Sequence, residues 1–188
     1  HITVKSQNNR YPFDYVITPA DGNLSAGDTL WVQDIISSHF FVGTVSGIWY
    51  TRGALNFGET PQWYNIANIS NPHTLSISKD GNYLFVGTTS GALYRISNIL
   101  AISDSLSGWY NSPYCVVERT LIHSFGQAVT SVAIDPNNPQ RLLVTLGNYG
   151  NANYVYYCEN ALDFAPAFVS KQGTTNGKKL PLMPVYSA

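Results

Sequence analysis

Charged residues are scarce in this chain. Of its 188 residues, 10 are Lys or Arg and 11 are Asp or Glu, or 11% of the sequence, against about 25% in an average soluble domain. Neither sign collects into a block, so nothing in the sequence indicates a surface for nucleic acid or anionic lipid. We therefore expect no nucleic-acid partner.

Long apolar runs are also missing. No stretch approaches the roughly 20 apolar residues that span a bilayer, and the first residues lack the charged-then-apolar pattern of a signal peptide. We expect no direct membrane insertion. Low charge combined with abundant Asn, Tyr and Ser favours an exported protein with an extracellular, periplasmic or cell-surface location.

The chain has only two cysteines, Cys115 and Cys158. Their spacing fits no metal site, and no histidine lies at a useful interval. The histidines are isolated from one another and are expected at turns or sheet edges. The sequence therefore predicts no metal site and no cofactor. Two structural thiols are the preferred interpretation of the cysteines, and a single disulfide is the alternative.

Aromatic and turn-forming residues are plentiful. Aromatics make up 13% of the chain, with 13 Tyr and 4 Trp, alongside 15 Gly and 10 Pro. Aromatic side chains favour strands, and glycine and proline favour tight turns. The composition predicts an all-β fold.

An internal repeat runs through the chain. Residues 41–50 (Phe-Val-Gly-Thr-Val-Ser-Gly-Ile-Trp-Tyr) recur as residues 85–94 (Phe-Val-Gly-Thr-Thr-Ser-Gly-Ala-Leu-Tyr), an offset of 85 − 41 = 44 residues. A looser third copy begins at residues 143–145 and continues to residues 154–157, so that interval carries an insertion. The offset is typical of propeller blades, which repeat every ~40–50 residues.

Each copy has the order of an antiparallel meander, strand–turn–strand–turn–strand, and four strands make one blade. The predicted strands of the first unit are Leu30–Ile35, Phe40–Thr44, Ile48–Thr51 and Trp63–Ala67. Those of the second are Thr74–Ser78, Tyr83–Thr88, Ala92–Ile96 and Cys115–Ile122, with a short helix near Ile99–Ser105. Those of the third are Val129–Ile134, Arg141–Leu146, Tyr154–Cys158 and Phe168–Lys171, with the prolines of residues 135–139 confined to a turn.

The sequence thus predicts part of an all-β propeller: about three four-stranded antiparallel blades of a larger ring of about seven or eight. Residues 1–29 are assigned to the end of a preceding blade and a connection. Residues 30–67, 74–122 and 129–171 are the three blades. Residues 184–188 are the first strand of a following blade, which indicates a larger chain or assembly.

A spaced turn motif follows the third strand of two units. Its positions are Ala54, Asn56, Gly58, Thr60 and Trp63 in the first unit and, more weakly, Ala161, Asp163, Ala165 and Phe168 in the third. This pattern resembles the Asp-box or BNR-repeat propellers, which include sialidases, sortilin-type receptor domains, xyloglucanase-type glycosidases and photosystem assembly factors. Asn56 and Ala165 depart from the family's Asp and Gly. The box's role is structural: a short polar side chain bonds the turn backbone and the aromatic fills space between sheets.

Related propellers include glycosidases, which use paired carboxylates, so the Asp and Glu side chains are candidates for catalysis. Asp34 and Asp135 occupy matching places at the end of a first strand, where the middle unit has Ser78. A shared ligand or ion is one interpretation, and turn capping is the preferred one. Arg52 and Arg95 also occupy matching positions, each at the end of a third strand. We expect both side chains to be solvated there.

The two long inserts, Ser97–Tyr114 and Gly147–Asn153, are the expected contact regions, because rigid scaffolds present variable loops. Exposed aromatics in a propeller can stack on sugars, although blade cores need the same residue types and core packing is preferred. The aromatics considered are Trp49, Tyr50, Trp63, Tyr64 and Trp109.

The function predicted is a non-enzymatic propeller scaffold or binding module of a larger exported or cell-surface protein, presenting loops to a protein or glycan partner. No residue is assigned a catalytic role, and the binding residues are not identified. The alternative is a fragment of a propeller glycoside hydrolase whose catalytic carboxylates lie mostly outside this chain. A third possibility is an intracellular assembly factor.

Overall fold

The computed structural model describes residues 39–54, 60–150, 152–175 and 177–188. Within these ranges the chain forms three antiparallel sheets joined by turns and two longer loops, with very little helix. All of these residues belong to one compact unit. The all-β prediction is confirmed.

Sheet 1 has three strands: β1 (Phe40–Thr44), β2 (Gly47–Thr51) and β3 (Tyr64–Ala67), in the order β1-β2-β3. A two-residue turn connects β1 to β2. The three strands match the second, third and fourth predicted strands of the first unit. The predicted first strand, Leu30–Ile35, lies outside the described residues, as does the segment 1–29.

Sheet 2 is a four-stranded meander in the order β4-β5-β6-β7. Its strands are β4 (Pro72–Ile77), β5 (Leu84–Thr88), β6 (Ala92–Ser97) and β7 (Glu118–Ser124). The predicted short helix is present as a 3-10 turn, Ile99–Ala101, followed by helix α1, Ser105–Gly108.

The last strand of sheet 2 begins three residues later than predicted. Before it, the Cys115 amide donates to the Ser112 carbonyl (3.1 Å) and the Val116 amide donates to the Ser107 carbonyl (3.0 Å). These bonds hold the backbone in the connecting loop, so Cys115 cannot join the ladder to β6.

Sheet 3 is a second four-stranded meander, with the spatial order β11-β10-β9-β8. Its strands are β8 (Val129–Asp135), β9 (Asn138–Leu146), β10 (Val155–Cys158) and β11 (Phe168–Ser170). All four predicted strands of the third unit are confirmed.

The prediction that Pro136 and Pro139 both lie in the turn is wrong for Pro139, which lies within β9. Asp135 pairs with Asn138 across a two-residue turn, and the register then shifts to Ile134 opposite Leu142. Pro139 therefore stands in a bulge. Proline is tolerated there because its missing N–H costs no ladder hydrogen bond.

Residues 184–188 form no strand. They nevertheless cross the ends of two strands of sheet 3. The Val185 amide donates to the Leu146 carbonyl of β9 (3.0 Å), and the Thr130 hydroxyl of β8 donates to the Val185 carbonyl.

Sheet 2 is packed on both faces. Every residue of β5 is buried, and because alternate side chains of a strand point to opposite faces, Leu84 and Val86 pack with sheet 1 whereas Phe85 packs with sheet 3. Burying one such side chain stabilises the fold by about 1.5–3 kcal/mol. The first core contains Ile48, Tyr50, Tyr64, Ile66, Ala67, Ile69, Leu84, Val86, Ile96, Ile99 and Ile102. The second contains Phe85, Leu93, Ile122, Val129, Val132, Leu142, Val144, Leu146, Tyr154, Cys158 and Ala161.

The glycine of the repeated Gly-Thr pair lets neighbouring sheets approach. A Cβ at Gly43 would lie 2.9 Å from the Pro72 side chain of β4, and a Cβ at Gly87 would lie 2.4 Å from Val129 of β8. Both distances are shorter than side-chain atoms tolerate. The first strand of the following sheet thus packs against the glycine of the sheet before it, and β4 contacts both β1 and β8.

Among the described residues, no helix has the length and apolar character needed to cross a membrane.

Candidate binding surface

The two matched arginines are inter-sheet clamps, so the prediction of solvated strand ends is wrong. Arg95 of β6 donates through Nη1 to the carbonyls of Ala161 (2.8 Å) and Asp163 (3.2 Å) in sheet 3. Arg52 reaches the carbonyls of Leu100 and Ile102 in the same way. In both cases the acceptors lie between the third and fourth strands of the following sheet.

Arg52 is further positioned by the buried Tyr50. Its Nε donates to the Tyr50 hydroxyl (3.0 Å), which also contacts His39 Nδ1 (2.6 Å). Burial raises the pKa of Tyr50 above its ordinary value of 10.0, and Arg52 opposes this shift. The phenol therefore stays protonated at neutral pH, and its oxygen accepts the hydrogen bond that positions the Arg52 guanidinium.

Ser78 and Asp135, singled out by their matching positions, do lie together. Both line a groove of about 450 Å³ between the turns that follow β4 and β8, with Asp80 on the same wall. Asp34 is outside the described residues. Two carboxylates, Asp80 and Asp135, thus face one groove.

Both carboxylates of this groove bond their own turns. Asp135 accepts from the Asn137 amide (2.9 Å), and its other oxygen lies 3.6 Å from Arg141 Nη1. Asp80 accepts from the Asn82 amide (3.1 Å) and from the Ser78 hydroxyl. The preferred prediction of turn capping is confirmed for Asp135.

The first insert is fixed to sheet 1 by its backbone. The side chain of Asp104 caps α1 by accepting from the Ser107 amide (2.7 Å), and this bond lowers the pKa of the Asp104 carboxyl. Gly108 then passes close to Tyr64, where a Cβ would lie 3.0 Å from the ring. The Tyr110 amide donates to the Asn65 carbonyl of β3 (2.8 Å). The two residues that follow Gly108 are therefore held on the outer edge of sheet 1.

Those residues form an exposed aromatic patch, which we define as Trp49, Trp109 and Tyr110. The rings of Trp109 and Tyr110 lie within 19° of parallel with centroids 6.4 Å apart, and Trp49 of β2 meets Trp109 edge to face at 6.0 Å. Trp109 is 41% exposed and Tyr110 is 40% exposed. Trp109 and Tyr110 thus stack on each other and still leave about two-fifths of each side chain exposed, which is unusual for rings that only fill a core.

A groove of about 340 Å³ adjoins the patch. It is lined by Tyr110 on one side, by Ile66, Ala67 and Asn68 on another, and by Val117 and Arg119. Arg119 donates to the Asn68 carbonyl and stands over the Tyr94 ring at 5.8 Å. The proximity of Asn68, Tyr110 and Arg119 could not be predicted from the sequence, because these residues come together only through the junction of sheets 1 and 2.

The other aromatics considered for sugar stacking divide between core and surface. Tyr50 and Tyr64 belong to the first core, as preferred in the prediction. Trp63 is 36% exposed and meets Phe40 edge to face at 6.1 Å. Phe168, at the aromatic position of the third-unit motif, is partly buried in the second core and so fills space between sheets as predicted.

The second insert is exposed and contains a single aromatic residue, Tyr149. Asn148, Tyr149 and Gly150 lie on the surface, and Tyr149 is 76% exposed. The Gly147 amide donates to the Ala128 carbonyl (2.8 Å), which fixes the base of the loop. Residue 151 lies outside the described residues. The predicted surface loop is confirmed at the residues described.

The cysteines and histidines that the structure describes lie apart from one another. Cys115 and Cys158 are free thiols, in agreement with the preferred prediction, and burial raises the pKa of Cys158. His73 and His123 lie on the edge strands β4 and β7. No group of three or more potential ligands occurs among the residues placed by the structure.

Comparison with known proteins gives no match: no family model, no curated protein and no solved structure matches this chain. The likeness to Asp-box propellers stays a prediction carried by the turn motif.

Proposed function

We propose that the three sheets are consecutive blades of a β-propeller of the Asp-box type, in a larger exported or cell-surface protein. Support comes from the two junctions, which use the same devices at matching positions. At each, a glycine admits the first strand of the next sheet, and an arginine reaches its loop carbonyls. The contact of Val185 with β9 resembles that of the Asn71 amide with the Val45 carbonyl (3.2 Å) at the start of sheet 2.

The function of this scaffold is to bind a protein or glycan partner through its inserts. The observation that carries the proposal is the aromatic patch, where Trp109 and Tyr110 remain about two-fifths exposed although the Tyr110 backbone is bonded to β3. Because hydrogen bonds already hold this backbone in place, little conformational entropy is lost when a partner binds the exposed rings.

A photocrosslinking experiment tests this proposal. Benzoylphenylalanine replaces Tyr114 in the first insert (69% exposed), or Phe164 (99% exposed) in the β10–β11 loop as a matched control. The full chain is then irradiated in the exported fraction of its source. We expect partner adducts from position 114 that disappear with Trp109→Ala, and none specific to position 164. Equal adducts with and without Trp109 would refute the proposal.

A glycoside hydrolase is the second candidate, favoured by the two carboxylates that face one groove. Glycosidases use such pairs across a cleft. If this function holds, the chain hydrolyses aryl glycosides, and Asp80→Asn or Asp135→Asn lowers the rate at least 100-fold, as expected for loss of general acid–base catalysis. A rate unaffected by either substitution rejects this candidate.

A further inference from the structure

The chemistry around the aromatic patch identifies the class of its ligand, on the premise that the patch is the binding surface proposed above. We propose that it binds a neutral polysaccharide, with sugar rings stacked on Trp109 and Tyr110 and an adjoining unit in the groove beside Tyr110. The site lies on the outer edge of sheet 1, and its groove shares no lining residue with the groove of Asp80 and Asp135.

The size of the patch favours a sugar over a protein surface. An aromatic side chain offers ~150–250 Å² of contact area. At the observed exposures, Trp109, Tyr110 and the nearby Tyr114 together present on the order of 300 Å². A stable protein interface buries about 800 Å² on each partner. These three side chains supply well under half of that area, an amount suited to a ligand of a few rings.

The segment that carries the two rings has no charged residue, and Arg119, the charged residue in the lining of the adjoining groove, already contacts the Asn68 carbonyl and the Tyr94 ring, so a neutral ligand is favoured. Residues 108–117 contain no Asp, Glu, Lys or Arg, and the polar side chains among them are Asn111 and Ser112. Amide and hydroxyl groups match sugar hydroxyls without the steering charge that anionic partners require. The Ser112 amide donates to the Trp109 carbonyl (2.9 Å), so a backbone turn places these two residues next to the rings.

The adjoining groove extends the site beyond stacking. Its volume of about 340 Å³ is near the lower end of ligand pockets, and Asn68 and Arg119 supply polar groups on its walls. Arg119 is already oriented by the Asn68 carbonyl and the Tyr94 ring. A ligand longer than one sugar can therefore contact the platform and the groove together, and we expect affinity to rise with chain length.

Affinity electrophoresis of the full chain tests the inference. Native gels contain mixed-linkage β-glucan, glucomannan or xylan, with alginate as the charged comparison. We expect retardation by at least one neutral polysaccharide, unchanged by salt, and a roughly tenfold weaker affinity for Trp109→Ala and for Tyr110→Ala. Phe164→Ala, the matched exposed control, keeps the wild-type affinity. Trp109→Phe keeps a ring and loses less than Trp109→Ala.

Several outcomes overturn the inference: no retardation by any neutral polysaccharide, retardation that Trp109→Ala leaves unchanged, or retardation by alginate alone. Urea unfolding midpoints equal to wild type show that a loss of binding is not a loss of folding. Protein adducts from position 114 that need Trp109, combined with no retardation, refute the polysaccharide but leave the binding-module proposal standing. Absence of both results refutes both.

Discussion

The junction between sheets 1 and 2 and the junction between sheets 2 and 3 are built alike but are packed to different depths. At the second junction, Gly87 is buried and β8 contacts both β4 and β5. At the first, Gly43 is exposed, and Leu75 and Ile77 of β4 remain 36% and 40% exposed. The repeated residues thus specify the contact at both junctions, and the described residues are more deeply buried at the second.

The largest expected effect comes from filling the glycine positions. In Gly87→Ala the new methyl group meets both Cβ and Cγ1 of Val129, within 2.6 Å, and a β-branched side chain cannot turn away from it. We expect a loss of about 3 kcal/mol of unfolding free energy, against about 1 kcal/mol for Gly43→Ala. Urea unfolding measures both. Equal losses would show that the two junctions are packed to the same depth.

Removing the arginine clamps has the next largest effect. Arg52→Ala loses bonds to two carbonyls and to Tyr50, whereas Arg95→Ala loses bonds to two carbonyls. Because both side chains are partly exposed, we expect losses of about 2 and about 1 kcal/mol. A lysine at either position restores only part of the lost unfolding free energy, because its ammonium group lacks the planar fork with which a guanidinium bonds two acceptors. A wild-type unfolding midpoint for Arg95→Ala would contradict the clamp.

A pH effect is expected at the second junction. His123 packs on Phe125 and Phe168, and burial lowers its pKa below the ordinary 6.5. Below pH 6.5 the unfolded chain therefore binds more protons than the folded chain, so stability is complete above that pH and declines as the pH falls toward the lowered pKa. The unfolding midpoints of wild type and His123→Phe should diverge between pH 7.5 and about 5. Parallel curves would contradict the assignment.

The smallest effect is a difference in thiol reactivity. Cys158 is 1% exposed in the second core and its pKa is raised by burial, whereas Cys115 is partly exposed in the loop before β7. Because the thiolate is the reactive form, we expect one fast and one slow thiol with Ellman's reagent under native conditions. Cys115→Ser removes the fast phase. Two fast thiols would mean that the second junction opens easily.

Most strands were predictable because alternating apolar residues and turn residues act locally. The strand positions of β5, β6, β9 and β11 follow the pattern to within a few residues. The bulge at Pro139 and the late start of β7 were not predictable, since the first depends on cross-strand register and the second on loop bonds to Ser107 and Ser112. The arginine clamps were missed because their acceptors are backbone carbonyls about 50 and 66 residues away, and a carbonyl has no signature in sequence.

The sequence by itself determined the meander and its turns, because strand periodicity and turn chemistry are properties of short segments. The tertiary structure alone decided which aromatic side chains are buried and which are exposed. Tyr50 and Tyr64 are buried while Trp109 and Tyr110 are exposed, although all four are aromatic residues in or beside sheet 1. The physical reason is that exposure depends on the packing of one sheet on the next and on the backbone bonds that hold the insert to β3.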